Sequence, residues 1–136
     1  MTLIASTLSG VLIALAILHV LWAIGFWWPI RTEPQLVKSV IGLKGITRMP
    51  GPIPCALVAV GLIFAAVWPW FPHGAIRTVG LAVATLIFLG RGILSYLDFW
   101  RRLSPEQPFA AFDRRYYGPL CLLIAAGFAV LSLQGA

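Results

Sequence analysis

The stretch Gly90 to Arg102, GRGILSYLDFWRR, decides the fold because it places charge at the end of an apolar run that begins at Ile76. Its first arginine, Arg91, and its acid, Asp98, are seven residues apart, which is about two turns of an α-helix. The two side chains are therefore expected on one face of one helix. A charge at bilayer depth costs roughly 2.5–3.5 kcal/mol on insertion scales and is rarely left facing lipid. This face should look inward, with the other helices packed around it.

The composition places the chain among membrane proteins. Of its 136 residues, 60% are hydrophobic and only 10% are charged, and the mean hydropathy is +0.94. Soluble domains carry about 25% charged residues, so a soluble protein of this composition would lack the polar surface to cover itself. The length suits a single membrane domain over residues 1–136, because one compact unit takes about 100–200 residues.

The net charge of +6, from ten Lys and Arg against four Asp and Glu, would favour a nucleic-acid partner in a soluble protein. Here the basic residues flank hydrophobic runs, where membrane topology and anionic lipid explain them more simply. The sequence has no RNA- or DNA-binding motif. Membrane lipids are therefore the expected partners, and no nucleic acid is expected.

The two cysteines, Cys55 and Cys121, each lie near the start of an apolar run and are expected to be buried free thiols. The sequence has no CxxC motif and no Cys/His cluster, so it predicts neither a metal site nor a c-type haem. A bis-histidine haem would have to pair His19 with His73, which fall at different depths. A Gly-rich nucleotide loop and a Ser-His-Asp order are also missing, and no cofactor is expected.

Four apolar segments predict an all-α fold, a polytopic bundle of four transmembrane helices. The spans cover about residues 3–28, 54–71, 76–100 and 117–133. The first helix lacks the basic start and small-residue cleavage site of a signal peptide, so it is expected to be retained.

After the first span, Thr32 and Gln35 form a capping-box pattern before a helical apolar repeat. This pattern predicts a short helix in the membrane interface, within the first cytoplasmic loop.

The basic residues predict the topology. Eight of the ten fall in the two long loops, and these are Arg31, Lys38, Lys44, Arg48, Arg101, Arg102, Arg114 and Arg115. The remaining hairpin carries only Arg77. By the positive-inside rule both long loops are cytoplasmic, so both termini face outside. We expect a multi-pass protein of the cell membrane, the bacterial inner membrane.

Small residues recur four positions apart on three of the predicted spans, a spacing at which membrane helices approach closely. The pairs are Gly61 with Ala65, Gly80 with Ala84, and Ala125 with Ala129. The second pair shares its helical stripe with Arg91 and Ser95. The charged face of the third span is thus also its predicted packing face.

His19 lies inside the first span, with Trp22 on the same face three residues later. It is about nine residues, or roughly 14 Å, from Trp28, and Arg91 is about eight residues, or roughly 12 Å, from Phe99. The two side chains thus fall at similar depth. A ligand-binding pocket that opens toward the cytoplasm is predicted. Its residues are His19, Trp22, Arg91, Ser95 and Asp98.

Structural roles are the alternatives for these polar groups. Arg91 can bond backbone carbonyls or extend toward the headgroups, and His19 can form a hydrogen bond between helices. Asp98 precedes Arg102 by four residues, the favourable order for an ion pair within one helix.

The segment Asp113 to Tyr117, DRRYY, marks the start of the fourth span. Its acid is expected to cap the helix, and its arginines are expected to hold lipid phosphate. The residues expected to bind headgroups are Arg101, Arg102, Arg114 and Arg115.

Three pieces of the chain carry a resemblance to a known family. They are Leu18 to Gly25 (LHVLWAIG), Leu57 to Leu62 (LVAVGL) and Phe112 to Cys121 (FDRRYYGPLC). Together they resemble an uncharacterised family of small bacterial four-helix membrane proteins, a domain of unknown function with the number 3995. Arg91 followed by Asp98 also looks like the third helix of that family. The resemblance implies a four-span bundle over nearly the whole chain and implies no activity.

The sequence leaves three functions open. The preferred one is binding or passage of a small anionic or amphipathic molecule in a pocket around Arg91 and His19. The first alternative is an accessory subunit that docks on a larger membrane complex, or forms a homo-oligomer, through its small-residue stripes. The second is a lipid-modifying enzyme that uses His19 as base and Asp98 as acid, and we regard an enzyme as the less favoured class.

Overall fold

The computed structural model describes residues 2–134 of the chain. These residues form seven α-helices, one 3-10 turn over Trp68–Trp70 and one π-helical turn over Asp113–Tyr117, and none of them lies in a strand. The helices are α1 (Thr2–Ala23), α2 (Glu33–Val40), α3 (Pro52–Val67), α4 (Ala75–Leu94), α5 (Asp98–Leu103), α6 (Phe109–Phe112) and α7 (Gly118–Gln134).

Four segments are long and apolar enough to cross a membrane. They are Thr2–Ala23, Pro52–Trp70, Ala75–Leu94 and Phe109–Gln134. Large hydrophobic side chains such as Leu57, Leu86 and Leu123 are exposed along them, where a soluble protein would carry polar groups. The chain is a membrane protein, and the predicted all-α bundle is confirmed.

The third span ends earlier than predicted. α4 stops at Leu94, and the backbone amides of Tyr96 and Leu97 then donate to carbonyls three residues back in two tight turns. Leu97 is extended, and α5 begins at Asp98. This acid lies in the first turn of the new helix, where the positive end of the helix dipole favours a carboxylate.

The prediction that Asp98 shares a helical face with Arg91 is therefore wrong. Because α5 starts a new helix axis, the seven-residue spacing no longer places the two side chains together. Asp98 is exposed and makes no ion pair with Arg102. The ion pair found within residues 2–134 joins Arg91 to Asp113.

The four long helices form two pairs, α1 with α3 and α4 with α7. The pairs pack together around a core toward the end of the bundle that carries the α3–α4 connection, here called the hairpin end. The buried core residues are Ala5, Leu8, Leu12, Ala66, Leu81, Ile124, Phe128 and Leu131. The opposite end, here called the loop end, carries the two long connections of the chain, residues 24–51 and 95–108.

Two glycines let α4 and α7 cross closely near the loop end. A Cβ added to Gly92 would lie 2.6 Å from Cδ2 of Leu122, and one added to Gly118 would lie 2.9 Å from both the Asp113 carbonyl oxygen and Cβ of Ser95. Such distances are shorter than ordinary carbon contacts, so only glycine fits. The crossing holds the π-helical turn and the start of α7 against the end of α4.

The predicted small-residue pairs are used mainly inside the bundle. Ala84 packs on the core, Ala125 is buried, and Gly80 lies against the indole of Trp68. Gly61 differs, because a Cβ added there would meet nothing within 4 Å.

Arg77 is part of the hairpin structure. Its side chain is buried, and Nε donates to the Pro69 carbonyl at 3.1 Å. The indole N–H of Trp68 donates in turn to the Arg77 carbonyl, also at 3.1 Å. These two bonds tie the start of α4 to the 3-10 turn that ends the second span.

The two long connections contact each other at the loop end. The amide of Lys44 donates to the Leu103 carbonyl at 3.3 Å, and the amide of Glu106 donates to the Gly42 carbonyl at 3.1 Å. Both connections therefore lie on one side of the bundle.

α2 is the short helix predicted in the first connection. It begins after Thr32, as expected, but the Thr32 side chain makes no capping bond, so the predicted capping box is not formed. Leu36 and Val37 on this helix are fully buried, whereas Lys38 is exposed. Burial of the apolar face against the bundle holds α2 in place.

Candidate functional site

The Arg91 guanidinium is held at the loop end by a buried carboxylate. Nη2 donates to Oδ1 of Asp113 at 2.7 Å, and Nη1 donates to Oγ of Ser95 at 2.9 Å. The guanidinium carbon also lies 5.3 Å from the centre of the Trp100 ring, within the range of a cation–π contact. The ion pair joins α4 to the π-helical turn and compensates both charges.

Asp113 is the residue that sequence reasoning missed. It was expected to cap the fourth span, but its carboxylate accepts from Arg91 and, through Oδ2, from the indole N–H of Trp100 at 2.9 Å. Its side chain is 2% exposed, against 32% for Arg91. A usable signal existed, because an arginine at bilayer depth needs an anion and Asp113 stands four residues before the predicted start of the fourth span at residue 117.

A cavity of about 550 Å³ lies beside this ion pair, between the two helix pairs. α1, α2 and α3 form most of its wall, and Arg91 and Tyr117 close it from the side of α4 and the π-helical turn. The lining is mainly apolar. Its oxygen and nitrogen side-chain groups are few, and they belong to His19, Ser39, Arg91 and Tyr117, with Trp22 presenting an indole.

His19 is held by its own helix. Nδ1 lies 2.7 Å from the Leu15 carbonyl oxygen, and because a carbonyl only accepts, Nδ1 must carry the proton. The imidazole lies 4.9 Å from the Trp22 ring, centre to centre. The Trp22 indole N–H is bound to the Trp28 carbonyl at 2.9 Å, so this part of the wall is fixed.

The structure brings together three of the five predicted ligand-binding residues. His19, Trp22 and Arg91 line the same cavity. Ser95 is fully buried behind Arg91 and orients it through Nη1 without lining the cavity. Asp98 does not line it either, because α4 ends before Asp98 is reached.

Of the four arginines predicted to bind headgroups, Arg102, Arg114 and Arg115 are exposed at the loop end. Arg101 is half-buried, and its Nη1 donates to the Ala110 carbonyl at 3.4 Å. Arg101 thus has a contact inside the protein, whereas the other three are open to the surroundings.

The cysteines are free, as predicted, with Cys55 buried in the cavity wall and Cys121 half-buried on α7. Within residues 2–134, no group of three or more His, Cys, Asp or Glu side chains is placed to hold a metal ion.

Comparison with known proteins gives a family and nothing more specific. The family model described as "Protein of unknown function (DUF3995)" matches residues 12–128. This range contains the cavity, the ion pair and most of the core. No curated protein and no solved structure matches the chain.

Proposed function

The chain belongs to the DUF3995 family of proteins of unknown function, and we propose that it binds one small amphipathic molecule in the cavity at its loop end. The observation that carries the proposal is the cavity itself, with mainly apolar walls and a few polar side chains, those of His19, Ser39, Arg91 and Tyr117. Its volume of about 550 Å³ falls in the range of about 300–1,000 Å³ found for small-molecule sites. A ligand with a polar head and an apolar body suits a wall that contains both kinds of side chain.

The membrane is the proposed source of this molecule. α3 and α4 approach each other mainly through the hairpin turn, so they diverge toward the loop end. Pro54 and Val58 line the cavity but are exposed on the outer surface of α3. An amphiphile that moves laterally from the bilayer would reach His19 and Arg91 through this gap.

A cavity-filling substitution tests the proposal. Val58→Phe should remove a saturable complex of one protein with one molecule of monooleoylglycerol, because the larger side chain occupies the cavity. Val60→Phe is the matched control, since Val58 is 46% and Val60 48% exposed but only Val58 lines the cavity. Native mass spectrometry of delipidated protein in mild detergent counts the bound molecules. Equal binding by both variants would contradict the proposal.

We also propose that the loop end is cytoplasmic and that both termini face outside. Eight of the ten basic residues lie at the loop end, and the contacts between the two long connections put them on one side. The positive-inside rule then assigns the orientation. A bacterial inner membrane is the proposed location.

Cysteine labelling tests this orientation. In a background with Cys55→Ala and Cys121→Ala, single cysteines would replace Lys38, Pro105 and His73, all of which are exposed. An impermeant maleimide added to intact cells should label His73→Cys only, and the other two should react after permeabilisation. The reverse pattern would contradict the orientation, and opposite sides for Lys38→Cys and Pro105→Cys would contradict the four crossings.

The two alternatives have less structural support. An enzyme that pairs His19 with Asp98 would need both groups at one cavity, and Asp98 lies outside it. An accessory subunit would dock through small residues, but Gly80, Ala84 and Ala125 are already covered within the chain. Among the glycines of the predicted small-residue pairs, Gly61 stays open for a partner helix.

A further inference from the structure

We infer that the cavity selects an uncharged amphiphile whose head group carries a hydroxyl. This inference rests on the proposed function and narrows its ligand. The sequence is compatible with anionic and with amphipathic ligands, and the charges and hydrogen bonds around the cavity distinguish between them.

The charge balance disfavours an anion. Among residues 2–134, Arg91 is the only Lys or Arg that lines the cavity, and Asp113 already neutralises it at 2.7 Å. An anionic head group at Arg91 would share one cation with a buried carboxylate, which repels it. The Asp113 side chain is 2% exposed, so water screens this repulsion poorly. The pair as a whole presents an uncharged polar surface.

The hydrogen bonds leave the wall rich in acceptors. The Tyr117 hydroxyl donates to the Ser39 carbonyl at 2.7 Å, and the Ser39 hydroxyl donates to the Gln35 carbonyl at 2.8 Å. With the protons of both hydroxyls used, their oxygens can only accept from a ligand. The indole N–H of Trp22 is likewise bound to a backbone carbonyl.

His19 adds a stronger acceptor. Since Nδ1 donates to the Leu15 carbonyl, Nε2 is the ring nitrogen left to accept from a ligand. Arg91 can act as a donor in this wall. Its bonds to Ser95 and Asp113 use two of its N–H groups, and a guanidinium has five, so further N–H groups are left for a ligand. Hydroxyls suit both kinds of partner, since a hydroxyl can donate to an acceptor such as His19 or accept from a donor such as Arg91. An ester or ether head group can only accept and would leave His19 unpaired.

Three probes with one oleoyl chain separate these cases. They are monooleoylglycerol, which carries hydroxyls, methyl oleate, which only accepts, and oleate, which is an anion. Each would be titrated into the delipidated parent protein, and the one-to-one complex would be measured by native mass spectrometry. Monooleoylglycerol should half-saturate the protein at a concentration roughly tenfold lower than methyl oleate, because a buried acceptor left unpaired weakens binding by about that factor. Oleate should bind more weakly than monooleoylglycerol.

Variants of His19 test whether this residue causes the preference for a hydroxyl. In His19→Phe the advantage of monooleoylglycerol over methyl oleate should fall to about twofold or less, and His19→Gln, which keeps an acceptor, should retain part of it. Tightest binding by oleate, or equal binding of the two uncharged probes to the parent, would overturn the inference while the proposed function stands. Failure of every probe to form a saturable one-to-one complex would overturn the proposed function as well.

Discussion

Replacing Arg91 by methionine should lower the free energy of unfolding by about 3 kcal/mol, because it leaves a buried carboxylate without its cation. The Asp113 side chain is 2% exposed and would keep only the indole N–H of Trp100 as a donor. We place the cost at the lower end of the range of about 3–5 kcal/mol for broken buried pairs, since Arg91 is 32% exposed. Chemical unfolding in mild detergent, followed by circular dichroism, measures the change.

Two further variants identify the cause of this loss. Arg91→Met combined with Asp113→Leu should recover most of the stability, because an apolar pair of similar size can replace a buried ion pair. Arg102→Met, at an exposed arginine of α5, should change the stability by at most about 0.5 kcal/mol, as surface substitutions do. Unchanged stability of the single Arg91→Met variant would mean that the ion pair does not hold the folded protein.

Adding one methyl group at Gly118 should destabilise the protein by about 1–3 kcal/mol, the usual cost of overpacking. In Gly118→Ala the new Cβ would lie 2.9 Å from the Asp113 carbonyl oxygen and 2.9 Å from Cβ of Ser95. The Asp113 carbonyl oxygen belongs to the backbone, so the whole π-helical turn must move to make room for the new methyl group. Because that turn positions Asp113, binding of monooleoylglycerol should weaken together with stability.

Gly61→Ala is the matched control, since it makes the same chemical change within α3. A Cβ there meets nothing within 4 Å, and alanine favours a helix over glycine by about 1 kcal/mol in soluble hosts. This variant should be as stable as the parent or more so. If both variants unfold alike, the close crossing of α4 and α7 is not what makes Gly118 necessary.

Much of the fold follows from the sequence because membrane spans are long and uninterrupted. The second predicted span, residues 54–71, differs from Pro52–Trp70 by no more than two residues at either end, since prolines and tryptophans mark both ends. The end of α4 is harder to predict from the sequence. Residues 95–100, SYLDFW, stay largely apolar and contain neither proline nor glycine, so nothing in the local pattern stops the helix at Leu94.

The part of the candidate site that lies on a single helix was predictable from the sequence. His19 and Trp22 are three residues apart on α1 and therefore share a wall. The partner of Arg91 was not predictable in this way, because Asp113 is 22 residues away along the chain. Its position depends on the glycine crossing of α4 with α7 and on a π-helical turn, and neither has a local sequence pattern strong enough to predict it.

Some positions of the cavity wall lie outside the buried packing of the protein, and this has a consequence for evolution. Val58 and Ile41 line the cavity but belong to neither buried hydrophobic cluster, the core at the hairpin end or the second cluster in the cavity wall that includes Leu36. Mutations at these two positions can therefore reshape the cavity without being removed for misfolding. Proteins that share this fold can therefore diverge in the molecule that they bind while the fold stays the same.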